Sequence, residues 1–162
     1  MLEEKIYEVC WQGPYNPKNI EKKIKPKDMK NLVLYKIYGS HPIYGDNILL
    51  YIGMTEQGVG VRLNQHDYWM DEEKFSKSTI YVASIGEFKD WTNENTYKEI
   101  VFKKPKREII ERIEALLIYA HQPSHNISNK KSAKSSYNIR IFNTEKYGSL
   151  FPEVSSLFYD IK

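Results

Sequence analysis

Leu32-Val33-Leu34-Tyr35-Lys36-Ile37-Tyr38 and Ile48-Leu49-Leu50-Tyr51-Ile52-Gly53 decide the fold. Both runs combine aliphatic, β-branched and aromatic side chains, which suit a pleated, half-buried surface. Gly39, Pro42 and Gly45 lie between them. Two such runs joined by a turn-rich loop predict a β-hairpin. A third run of strand length, TIYVASIG, spans residues 79–86. Between the second and third runs, residues 57–69 place Arg62 and His66 four apart, on one face if that segment is helical. Pro105 opens the clearest helix. Ile109, Ile110, Ile113, Leu116, Leu117 and Ala120 recur at helical spacing. Proline suits a first turn, and Pro123 stops the helix just after His121. Glu114 falls at the rim of the apolar stripe, with Glu111 pointing further out.

Outward from this centre the signals weaken. Residues 1–31 read as a strand at 5–10, a turn at Gly13-Pro14, and a lysine-rich segment broken by Pro17 and Pro26. They form an N-terminal extension packing on or beside a core of residues 32–162. Beyond the long helix come a polar loop at 128–136, a short strand at 138–142 and a small terminal element at 150–159. Three central strands, with helices after the second and third, predict a small α+β domain.

Composition narrows the function classes. A chain of 162 residues makes one domain of ordinary size. With 41% apolar and 28% charged residues it reads as a soluble globular protein, not a disordered one. Cys10 is the lone cysteine, which excludes an internal disulfide, argues against structural zinc and fits a reducing cytoplasm. No apolar run approaches the roughly 20 residues of a membrane span, and the start MLEEKIYEVC has no signal-peptide core. The net charge of +3 is too small to name a polyanionic partner. Its distribution says more. Residues 18–30 hold six lysines against Glu21 and Asp28, and residues 128–146 hold five basic groups against Glu145 alone.

Familiar cofactor signatures are missing. Gly58-Val59-Gly60 lacks a third glycine, since Leu63 stands in its place. There is no phosphate-binding G-K-[ST] loop, no H-E-x-x-H and no G-x-S-x-G. Glu72-Glu73-Lys74 has the carboxylate-x-lysine form of some metal nucleases, but chance produces such triplets in a chain this charged.

One ordered constellation remains. Tyr35 in the first run is followed by Tyr51-Ile52-Gly53 in the second, Arg62 four residues before His66, Glu114 on the long helix, and Pro123-x-x-Asn126 after it. This order resembles the GIY-YIG endonuclease family over residues 32–143. The second half of the family's motif is intact, while Val33-Leu34 replaces Gly-Ile in the first. The resemblance implies a small three-stranded antiparallel sheet flanked by helices, one divalent metal (Mg²⁺ or Mn²⁺), and hydrolysis of nucleic-acid phosphodiesters, with DNA the first expectation and RNA left open. It implies a site of Tyr35, Tyr51, Arg62, His66, Glu114 and Asn126, with Glu114 as the metal ligand.

The chemistry suits those residue types. A phosphodiester repels hydroxide, so hydrolysis needs charge stabilisation, an activated water and a supported leaving group. Arg62 offers a bidentate fork for the phosphate. Glu114 offers a hard oxygen ligand. Tyr35 is the expected proton acceptor, which requires surroundings that favour its phenolate. Tyr51 would hydrogen-bond phosphate or water, His66 would tune a tyrosine or shuttle the proton, and Asn126 would hold the site together. Each residue taken singly also has an ordinary use: a packed strand tyrosine, an exposed Arg–His pair, a rim glutamate, a turn asparagine. The rival is a catalytically silent nucleic-acid-binding or assembly module, favoured if Tyr35, Arg62 and Glu114 do not converge on one cleft. No separate DNA-reading module is visible, so specificity would come from loops, residues 1–31, a homodimer or a partner protein.

Overall fold

The computed structural model of the chain describes residues 4–64, 71–88, 104–130 and 138–159. Six strands form one mixed sheet: β1 (Lys5–Tyr15), β2 (Leu32–His41), β3 (Gly45–Met54), β4 (Thr79–Phe88), β5 (Ile139–Glu145) and β6 (Glu153–Ser155). Their order is β3-β2-β4-β1-β5-β6. This corrects the expectation of a small three-stranded antiparallel sheet flanked by helices. The three central strands are present as β2, β3 and β4, but the sheet does not stop at them. β1 pairs antiparallel with β4 and parallel with β5, and β6 closes the far edge.

The reason lies in β1. Tyr7, Val9 and Trp11 alternate into the core, and the residues between them are only partly exposed. Such a strand has apolar surface to bury and takes an inner position. It runs on through the cis Gly13-Pro14 bond, with an irregularity between Gln12 and Tyr15. The turn residues there read as a break in sequence and are a bulge in space. Tertiary contacts then fasten β1 to its neighbours. Trp11 Nε1 donates to Asn143 Oδ1 at 2.9 Å. The buried Lys36 ammonium lies over the Trp11, Tyr81 and Tyr38 rings and donates to the carbonyls of Lys146 and Tyr147. Burial pulls the Lys36 pKa down to about 7. The rings and carbonyls surround the charge with compensating negative potential.

Both faces of the sheet are covered. One carries the long helix α5 (Arg107–His121), whose Ile110, Ile113, Leu116 and Leu117 pack on Val9, Leu34, Ile52 and Ile85. On the other, Ile20 of α1 (Ile20–Lys23), Ile24, and Val59 and Leu63 of α3 (Val59–Asn64) pack on Tyr35, Ile37 and Val82. β2 is therefore buried at seven successive positions, 32–38, which explains its unbroken apolar run. The short helices α2 (Pro26–Met29) and α4 (Glu72–Ser76), with a 3-10 turn at Ser156–Phe158, complete the described helices. Among the described residues, no helix is long and apolar enough to cross a membrane.

Candidate active site

β3 is an edge strand, and the site is built where α5 and its following turn close that edge. Outward-facing backbone groups of an edge strand must be paired, covered or solvated. Here the chain pairs them in order. Ser124 N donates to Leu49 O, and His125 N donates to Leu50 O at 2.8 Å. Asn126 Oδ1 accepts from Ile52 N at 2.9 Å while its Nδ2 donates to Ile52 O at 2.8 Å. Glu114 Oε1 then accepts from Met54 N at 2.9 Å. The turn reaches this position because Gln122 ends α5 in a left-handed conformation (φ 49°) and Pro123 cannot extend it.

Asn126 is thus an edge clamp on the strand that carries Tyr51 and Gly53. Asn126→Ala would leave both Ile52 groups buried and unpaired, at a cost of roughly 2–4 kcal/mol. Thermal unfolding should fall by roughly 5–15 °C. An unchanged midpoint would remove the clamp role.

Tyr35 and Tyr51 stand on the paired strands β2 and β3, their rings stacked at 5.9 Å and 26°. Gly53 lies opposite Tyr35 and leaves room for both rings. A Cβ at Gly53 would stand 2.6 Å from Tyr35 Oη and from Tyr51 Cε1. Gly53→Ala must displace two rings, an overpacking cost of roughly 1–3 kcal/mol. It is expected to lower activity more than tenfold while the chain still folds. Full activity would mean that the ring placement does not matter.

Tyr35 is fully buried, and desolvation, with the neighbouring Tyr51 adding to it, pushes its pKa well above the usual phenol range. The charge and hydrogen bond of Arg62 only partly oppose this. The surroundings disfavour the phenolate that a proton-accepting Tyr35 would need. Arg62 itself is exposed on α3, within reach of the Tyr35 hydroxyl.

Glu114 projects from α5 into the same place. Desolvation raises its pKa to about 7, the Met54 N–H and Arg62 pull it back, and Glu111 pushes it up. Arg62, Glu114 and Met54 line one open groove of about 780 Å³ between α3 and α5. Three positions that the sequence separates are therefore brought together: Arg62 and Glu114 face the groove, and Tyr35 lies beneath, bonded to Arg62. Tyr51 stands beside Tyr35, and Asn126 holds the strand without lining the groove. His66 lies outside the described residues.

The groove adds residues that the sequence reading passed over. Arg107, Arg112, Glu108, Glu111 and Asn129 also line it. Arg107 bridges Glu111 at 2.6 Å and Glu56 at 3.1 Å. The Arg107–Glu111 spacing of four was readable as a helix-surface pair. The Glu56 partner, on another element, was not.

Among the described residues no cluster of three or more His, Cys, Asp or Glu side chains gathers to cage a metal. The donor set still fits one hydrated Mg²⁺-type ion, which binds through one or two carboxylates and lets water and phosphate fill the rest. Glu114 is a desolvated carboxylate whose anionic form lacks full compensation, and a divalent cation would supply it.

In comparisons with known proteins, no family model, no curated protein and no solved structure matches the chain.

Proposed function

We propose that the chain is a metal-dependent endonuclease that hydrolyses nucleic-acid phosphodiesters, DNA first, through a GIY-YIG-like site. The observation that carries this reading is the convergence of Arg62 and Glu114 on one groove, with Tyr35 bonded to Arg62. Arg62 grips the scissile phosphate and offsets the charge that builds in the transition state. Glu114 would hold Mg²⁺ or Mn²⁺, and such an ion neutralises phosphate charge and acidifies water. Tyr35, kept neutral by burial, orients the Arg62 guanidinium. Removal of the water's proton falls to a group with access to solvent, and half-buried Tyr51 is the one beside it. Exposed Lys18, Lys22, Lys23, Lys25 and Lys30 sit around α1, which packs beside Arg62's helix, and suit a phosphate backbone. The lone Cys10 agrees with work in a reducing cytoplasm.

Supercoiled plasmid incubated with the protein and Mg²⁺ or Mn²⁺ should be nicked or cut, and excess EDTA should stop it. Cleavage that persists in EDTA would overturn the metal mechanism. A second reading has an observation in its favour: the raised Tyr35 pKa leaves no phenolate base at rest. On that reading the same groove binds nucleic acid without turnover. Salt-sensitive binding with no cutting under either metal would select it.

A further inference from the structure

The tip of the β2–β3 hairpin, residues 40–46, does not line the groove, yet it is tied by side-chain hydrogen bonds and exposes two large side chains. Ile43 is 81% exposed and Tyr44 is 67% exposed. His41 Nδ1 accepts from the backbone N–H groups of both Ile43 and Tyr44, at 3.1 and 3.2 Å. That fixes the imidazole under the loop. The Tyr44 ring stacks on it at 4.6 Å and 27°. The hairpin therefore holds a tyrosine ring with one face supported and the other turned to water. Asp46, the carboxylate of the tip, is engaged by Ser40 Oγ at 2.5 Å.

The surroundings lead back to the groove. The His125 ring meets His41 edge-on at 6.1 Å. Lys130 and Lys74 lie near enough to His125 to help hold its pKa down, behind the larger effects of burial and His41. Lys74 shares its charge with Asp71 at 3.4 Å. From His125 the chain passes Asn126 to Ile127 and Asn129, which line the groove. A continuous strip thus runs from the Arg62–Glu114 groove to the tip, with cations beside it and an aromatic platform at its end.

We infer that the Pro42–Tyr44 tip is a second nucleic-acid contact, on which one unstacked base of the bound strand stacks against Tyr44. The inference rests on the nuclease reading and adds a length requirement to it. Six residue steps separate Tyr35 from His41, roughly 20 Å at about 3.3 Å each. A stacked nucleic-acid strand covers that span in about six nucleotide steps at about 3.4 Å each, and an extended strand in fewer. Exposed Tyr and Ile beside cations suit base stacking on a backbone already held by charge.

The test is fluorescence anisotropy with wild-type protein, in EDTA to prevent cleavage. The probes are a single-stranded 30-mer and a single-stranded 3-mer, the latter too short to span from the groove to the tip. The 30-mer should bind wild type more tightly. Tyr44→Ala should weaken the 30-mer roughly five- to 150-fold, the usual loss for one stacked base, and leave the 3-mer unchanged. Tyr44→Trp should keep most of the affinity. Wild-type affinity of Tyr44→Ala for the 30-mer would overturn the second contact while leaving the nuclease reading intact. If wild type binds neither probe, both readings fall. If Tyr44→Ala changes only the oligomeric state, the tip is a contact between copies of this chain, and the nucleic-acid role is refuted.

Discussion

Glu114→Gln is expected to abolish cleavage while making the metal-free fold more stable at neutral and alkaline pH. The two effects come from one fact. The Glu114 carboxyl is taken out of water beside β3, and its pKa rises from 4.5 to about 7. Between those values the folded protein holds a proton that the unfolded chain has released. Stability from this group is thus full below about pH 4.5 and falls as pH rises through 7, by on the order of 3 kcal/mol. Glutamine has the same shape and still accepts from Met54 N, but it carries no charge to desolvate. In EDTA, the unfolding midpoint of Glu114→Gln should match wild type near pH 4 and exceed it by several degrees near pH 8. With Mg²⁺ the variant should cut nothing, because an amide oxygen is a poor substitute for a carboxylate ligand. A variant that still cuts would end the metal-ligand role, and an unfolding difference independent of pH would end the desolvation account.

Arg62→Ala is expected to lower single-turnover cleavage by roughly 10²–10³, the usual loss when one donor to a developing oxyanion is removed. Because Arg62 is exposed on α3 and outside the apolar clusters, circular dichroism should not change, and losing its hydrogen bond to Tyr35 should lower the unfolding midpoint by only a few degrees. Binding should weaken much less than turnover. Arg62→Lys should not restore the rate, since an ammonium cannot form the planar fork. Near-wild-type cleavage by Arg62→Ala would refute the phosphate clamp. Equal losses in binding and turnover would reduce Arg62 to a ground-state contact.

The site was legible in part because its residues sit on elements with strong local patterns. Tyr35 and Tyr51 lie on apolar runs long enough to be strands, and Glu114 lies on a helix whose stripe repeats over four turns. Those periods fix which side chains share a face before any packing is known. The long helix, expected from Pro105 to His121, spans Arg107–His121. The roles were less legible. Tyr35 was expected in surroundings that favour its phenolate, and burial under α3 disfavours it. Protonation depends on solvent and neighbours that are far away in sequence. Asn126 was expected to hold the site together; the structure shows it pairing both polar groups of Ile52, which depends on where the turn after α5 lands on β3.

The hairpin, the third strand and the amphipathic helix were readable in the chain, because short-range periodicity and turn chemistry act within a few residues. Only the tertiary structure decided the six-stranded mixed sheet. β1 joins β5 across more than 120 residues, and Trp11 finds Asn143 by the geometry of that pairing. Parallel pairing between distant segments leaves no local period to read; it follows from pairing both edges of β1, with β4 on one side and β5 on the other. The same holds for the groove. Arg62 and Glu114 face one groove because α3 follows β3 in the chain while α5 packs along that strand, where Glu114 accepts from Met54 N. That is a fact of packing, and no spacing in the chain encodes it.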